Sequence, residues 1–214
     1  MSGSAHPRST RSSPLFARTR ARGSNAPRDR VLVVASSPRT TRSRRGLATH
    51  AAFDLVHARN LLMHLPSRLD ALRRLASAAR PGGWVLINDP DFTTVTLQPP
   101  SAAWERTWSA FLDAAVAGGW DPRYGARLAG DMRAVGLTEV HADYVATATH
   151  GGALPLLALT IERLRPRMLA QGAADDEIDE AERLLADPAN TVTSPTICAA
   201  RGRLRPYSQP GVSP

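Results

Sequence analysis

The sequence predicts an α/β fold built on a parallel sheet, and three neighbouring segments carry that prediction. Residues 53–58 are a short, mainly apolar run around Val56, of the kind that suits a strand buried on both faces. After Pro66 the pattern turns helical. Leu69, Leu72, Leu75, Ala76 and Ala79 recur at three- and four-residue steps, while Arg68, Arg73, Arg74 and Arg80 fall largely on the other side. Ser67 is the expected N-cap, with Asp70 in the acidic position of a capping box. Pro81-Gly82-Gly83 should stop this helix, since proline cannot continue it and glycine supplies a left-handed turn. Residues 84–87 form the second apolar run. Strand, helix and strand joined by turns this short make a βαβ unit with parallel neighbouring strands.

Beyond this unit the chain reads as further helices and strands. Residues 101–116 predict a helix capped by Ser101, with Trp104, Trp108, Phe111, Leu112 and Ala115 on one face and Gly118-Gly119 after it. Asp121-Pro122 announces a second helix that runs to Val135 and stops at Gly136. Alternation over residues 138–149 predicts a strand. An amphipathic helix follows through Leu156, Leu157, Leu159, Ile161 and Leu164, interrupted by Pro166. Then come an acidic helix over residues 175–185 and a last strand over residues 191–202.

Composition fits one globular unit with a tail. The chain has 214 residues, 43% hydrophobic and 21% charged, with no run approaching a membrane span. Its single cysteine, Cys198, excludes an internal disulfide framework and predicts a reducing compartment, the cytoplasm. The net charge of +8 is unevenly spread. Residues 1–50 hold 11 Arg against one acid, and residues 51–214 hold 16 Arg against 18 acids. The globular part is thus nearly neutral, which argues against a nucleic-acid partner for it. Residues 1–28, rich in Ser, Arg and Pro, cannot bury enough surface to offset chain entropy. The expected division is a disordered basic tail (1–50), a globular domain (51–205) and a frayed end (206–214).

Two stretches, FDLVHARNLLMHLP and ARPGGWVLINDPDF, taken together at this separation, resemble class I S-adenosylmethionine-dependent methyltransferases of the small-molecule type. They match the fourth strand with its turn, and the entry into the fifth strand. The resemblance covers residues 53 to about 205. It implies a Rossmann-like sheet in which residues 138–149 and 191–202 are the sixth and seventh strands, the seventh antiparallel. Residues 101–135 would then be the helical cover over the acceptor.

The cofactor-binding half departs from that pattern. Residues 31–34 are the one strand candidate in the tail, and Ala35-Ser36-Ser37-Pro38-Arg39 follows without the glycine-rich turn such a cofactor needs. No acid lies between Asp29 and Asp54 to hold the ribose hydroxyls, and 19 steps from Val34 to Phe53 leave no room for further βαβ units. The expectation is an incomplete sheet, strands four to seven with covering helices, and impaired methyl transfer to a small-molecule acceptor. A frameshift or wrong start upstream of Ala51 would account for the charge change near residue 50. A non-catalytic remnant that binds a partner, with the basic tail contacting a polyanion, is the competing expectation. Homo-oligomerisation or a complementing chain would cover the sheet edge left open.

By the resemblance, His57, Ala58, Arg59, Asn60 and His64 line the cofactor, which is S-adenosylmethionine. Read as residues alone, the first four also suit a strand end, and His64 suits a histidine bonded to a nearby carbonyl. Asp89 and Asp91, after the fifth strand, are candidates for general base or acceptor orientation, or else turn residues. Trp104, Trp108, Trp120 and Tyr124 are acceptor-binding candidates, although the helical spacing of Trp104 and Trp108 fits a plain core better. No His, Cys, Asp and Glu grouping has metal-ligand spacing.

Overall fold

A computed structural model describes residues 16–20, 31–35 and 51–205. Its strands and helices run in the order β1 (Phe16–Arg20), β2 (Val31–Ala35), β3 (Phe53–Arg59), α1 (Arg68–Ala78), β4 (Ala79–Asp91), β5 (Leu97–Gln98), α2 (Ala102–Ala117), α3 (Tyr124–Ala134), β6 (Thr138–Val145), β7 (Ala148–His150), α4 (Pro155–Ala170), α5 (Asp175–Ala186), β8 (Thr191–Thr193) and β9 (Thr196–Arg203). Six strands form the main sheet in the order β1-β2-β3-β4-β9-β6, and β5-β8-β7 form a small one.

The βαβ unit is present as expected. β3 and β4 pair in parallel, Val56 beside Val85 and Ala58 beside Ile87, and α1 crosses between them. Their inward residues Val56, Ala58, Val85 and Ile87 have no exposed surface and pack with Leu72 and Leu75 of α1 and with Tyr124, Leu128 and Met132 of α3. The capping box differs from expectation. Ser67 makes no side-chain cap bond, and Asp70 pairs instead with Arg73 at 2.7 Å one turn along its own helix. Pro81-Gly82-Gly83 lies inside β4, not before it. Gly82 takes the left-handed φ of +75°, and a Cβ on Gly83 would sit 2.9 Å from the Arg80 carbonyl oxygen and 3.0 Å from that of Phe53. Glycine there lets β4 pass against the first residues of β3, where the pairing register shifts between Phe53 and Leu55.

β9 is antiparallel to β4 and to β6, as expected for the seventh strand. Each long strand foreseen at the C-terminal side is split between sheets. Residues 138–149 divide into β6 and β7, and residues 191–202 into β8 and β9. The two crossings run side by side, with Ser194 N–H donating to the Thr147 carbonyl (2.8 Å) and Thr147 N–H to Ser194 Oγ (3.0 Å). The small sheet, α2, α4 and α5 enclose a second core around Trp104, Trp108, Phe111, Ile161, Met168 and Ile178. α4 passes through Pro166 without stopping, because that residue faces solvent and the carbonyl it leaves unpaired can be hydrated.

Two strands fall inside the first 50 residues. β2 is the expected strand, and it pairs in parallel with β3, Leu32 beside Val56. The β3 edge expected to be open is therefore covered. β1 pairs antiparallel with β2 within a segment read as too polar to fold. Strand pairing satisfies main-chain groups whatever the side chains, so composition is a weak guide to an edge strand. The remaining expectations for residues 1–50, and the tail at 206–214, lie outside the described residues.

Candidate active site

The carboxyl ends of β2, β3 and β4 lie together, where open parallel sheets bind ligands. β3 leaves the sheet through Asn60, whose φ of +49° is left-handed and turns the chain sharply. Asn60 N–H donates to the Asn88 carbonyl at 2.8 Å. Asp89, at the end of β4 and wholly buried, accepts from Leu61 N–H at 2.9 Å and Leu62 N–H at 3.1 Å. Its two oxygens thus cap the 3-10 turn Leu62–His64 at its first amides, while the His64 N–H closes the turn on the Leu61 carbonyl at 3.1 Å. Burial raises the carboxyl to about 7, and the backbone N–H bonds only partly offset that.

This assigns Asp89 the task of holding the turn. With both oxygens engaged by amides it is not a free base. Asp91 does similar local work, accepting from Thr93 N–H (2.9 Å) and Thr93 Oγ1 (2.6 Å) to cap the turn Phe92–Thr94. The two carboxylates foreseen as a pair therefore serve two separate turns.

His64 ends the capped turn. Its ring meets Trp120 edge-on at 4.6 Å, and Trp120 faces Phe92 at 6.5 Å. All three are half-buried. Burial lowers the His64 pKa, which keeps the imidazole neutral near pH 7. Asp121 N–H donates to the Met63 carbonyl and Phe92 N–H to the Pro122 carbonyl, each at 2.8 Å, so the chain entering α3 is bonded to both turns. α3 comes this close because its second residue is glycine. A Cβ on Gly125 would lie 2.8 Å from Asp89 O and Pro90 C.

The other candidates are placed as follows. His57 Nε2 and Asn88 Oδ1 are 2.7 Å apart on the half-buried face of the sheet. Ala58 is fully buried against the α1 side, and Arg59 is exposed at the strand end. Trp104 and Trp108 stack at 5.3 Å inside the second core, and Trp108 Nε1–H donates to the Phe92 carbonyl at 3.2 Å. Tyr124 is fully buried, with the Arg68 guanidinium 5.6 Å from its ring centre. Burial, then the carboxylates of Asp131 and Asp89, push its hydroxyl pKa up. Neither the tryptophan pair nor Tyr124 presents a surface to an acceptor. By sequence Phe92 and Asp121 read only as the end of a matched stretch and as a helix start, since nothing in their spacing marks them as site residues.

A cavity of about 530 Å³ opens two residues beyond His64, lined by Pro66, Ser67, Arg68, Asp70, Arg127 and Asp131 among others. Its arginines are paired within the protein, Arg68 and Arg127 with Asp121 and Arg73 with Asp70. Arg68 and Asp131 are the neighbours of Tyr124, but His57, Arg59, Asn60, His64, Asp89 and Asp91 do not line it. Among the described residues, no group of three or more His, Cys, Asp or Glu is placed for a metal, and no helix is long and apolar enough to cross a membrane.

By the resemblance, the capped turn after β3 would hold the methionine and adenine side of S-adenosylmethionine. The ribose side does not fit. The place beside β2 is taken by antiparallel β1, Phe-Ala-Arg-Thr-Arg, which brings no carboxylate, and no glycine follows β2 through Arg39.

Known proteins bear on this arrangement. The chain is 36% identical over 93 residues to methyltransferase str2 of Strobilurus tenacellus, a match covering 42% of this chain and 34% of that protein. It is 36% identical over 91 residues to N-methyltransferase sirN of Leptosphaeria maculans, covering 41% and 32%. The chain spans about a third of the length of these curated relatives. YcgJ of Bacillus subtilis, a solved structure, overlays with a TM-score of 0.44 at 12% identity over 73% of this chain and 66% of that one. A family model described as a methyltransferase domain matches residues 14–142, reaching back across β1 and β2. That match takes in more than half of the residues, and the chain belongs to the methyltransferase domain family.

Proposed function

We propose that this chain binds S-adenosylmethionine at the carboxyl ends of β2, β3 and β4 and serves methyl transfer to a small-molecule acceptor. The reading is supported above all by Asp89, a buried carboxylate that holds the turn from Asn60 to His64 in one place. The cofactor would supply a methyl group activated by sulfonium charge. The chain's own part is positioning. Arg59 and Asn60 would line the cofactor side, while His64, Trp120 and Phe92 form an aromatic wall on the acceptor side. His64, neutral through burial, is the member of that wall able to take a proton from an acceptor. Because the ribose side lacks its carboxylate and glycines, binding should be weak and activity impaired. Cys198, buried and unpaired, supports a reducing compartment, the cytoplasm.

Calorimetric titration with S-adenosylmethionine tests the proposal. Saturable binding that weakens at least tenfold in Asn60→Ala supports it. No saturable heat at any soluble concentration overturns it.

The second reading is a non-catalytic module that binds a polyanion through its first 50 residues. It is favoured by the antiparallel β1 in the ribose strand's place and by 11 Arg against one acid in that segment. It predicts polyanion binding that falls steeply with salt and vanishes when residues 1–50 are deleted.

A further inference from the structure

We propose that β6 is the seam of a symmetric dimer, in which two copies of this chain join their main sheets edge to edge. Among the described residues, β6 closes the main sheet, with β9 on one side and no strand on the other. An edge strand presents a row of main-chain donors and acceptors that another strand can use, and proteins guard such edges with lysine, proline, bulges or brevity. β6 has its bulge at the start, where the register shifts between Thr138 and His141 and Glu139 takes a φ of +50°. From His141 to Val145 the strand is regular, without proline or lysine. Arg133 covers one carbonyl, that of Val140, at 3.3 Å. Tyr144 and Val145 are 52% and 59% exposed, large apolar surfaces on a strand end.

The sequence of the strand selects one register. A two-fold axis perpendicular to a sheet keeps every residue on its own face, so the axis must pass through a residue pairing with itself. Centred on Asp143, two carboxylates meet; centred on His141, Glu139 faces the other copy's Asp143. Like charges directly opposite are destabilising. Centring on Val140 runs the pairing into the bulge, and centring on Tyr144 runs it off the end of the strand. Ala142 remains. With Ala142 at the axis, each His141 lies opposite the other copy's Asp143, and each Val140 opposite the other copy's Tyr144. Both are favourable cross-strand pairs, formed twice by symmetry. Asp143 already has Arg201 at 3.8 Å, so its carboxylate would lie between that guanidinium and the imidazole of the second copy.

The experiment uses the whole chain. Light scattering should give a mass twice the 23.0 kDa of one chain. In Ala142→Cys the two new thiols would face each other across a pair with Cα atoms about 4.5–5.5 Å apart, within disulfide range. The native Cys198 is buried, so oxidation should link two copies through position 142. Val140→Cys, two residues from the axis, should not link. His141→Asp should halve the mass, and His141→Asp with Asp143→His should restore it. A single-chain mass at every soluble concentration overturns the proposal. So does equal cross-linking at positions 140 and 142 in folded protein.

Discussion

Asp89 is buried without a cation beside it, and two amides do the work a cation might have done. Its pKa of about 7 lies above the ordinary aspartate value of 3.8 because burial penalises the carboxylate more than the amides favour it. Between those values the folded chain keeps a proton that the unfolded chain has released. The Asp89 contribution to stability is therefore greatest below pH 4, falls as pH rises to about 7, and is level above it. Across that window the change is on the order of a few kcal/mol. Asp89→Asn should remove this slope, so urea unfolding of both proteins from acid to neutral pH should give difference curves that drop with pH. Parallel curves would refute the assignment. Gly125 acts on the same spot from the other side. Gly125→Ala would set a Cβ 2.8 Å from main-chain atoms of Asp89 and Pro90, and backbone cannot swing aside as a side chain can. We expect a loss of about 1–3 kcal/mol by denaturant titration.

At the scale of elements, α4 carries the plainest local conflict. Pro166 sits inside a 16-residue helix, removing one main-chain hydrogen bond and crowding the turn before it. The helix survives because Leu157, Ile161, Leu164 and Met168 are buried in the second core on its other side. Pro166→Ala should restore the missing bond and raise stability by about 1–3 kcal/mol, readable as a higher urea midpoint. A lower midpoint would mean that the proline ring is packed in a way its exposure does not reveal. The neighbouring α5 is tied to α4 at Arg165, which reaches Asp175, Asp179 and Glu182. That clasp is on the surface, so it orients the two helices more than it stabilises them.

Over the whole molecule, the two cores meet at Phe92, which packs against both. The aromatic wall of the candidate site therefore stands where the sheet layer joins the helical cover. The main sheet is asymmetric. α1 and α3 both cover the face bearing Val56, Val85, Ile87 and Cys198, while Leu55, Trp84 and Leu86 on the opposite face are half-buried. Parallel strands are ordinarily covered on both faces, and among the described residues no helix packs on the second.

Much of this was legible before any coordinates. The spacing of Leu69, Leu72 and Leu75, the cap at Ser101 and the stop at Gly136 placed helices to within a few residues, because helical signals act over three or four positions. The parallel β3–β4 pair followed from the short-turned strand–helix–strand pattern, and the antiparallel last strand from the resemblance. The candidate turn from Arg59 to His64 was also in view. Three features belonged to the tertiary structure alone. Asp89 meets Leu61 across 28 residues, and no periodicity marks which carboxylate turns inward. The splitting of two strands between two sheets depends on crossings that lie 47 residues apart and bond to each other. β1 forms by main-chain pairing to β2, to which its composition is indifferent. Sequence by itself determined the local elements, whose free energy is decided within a turn. Tertiary structure decided which buried polar group holds the site, because only the folded chain brings a carboxylate to amides that have no other partner.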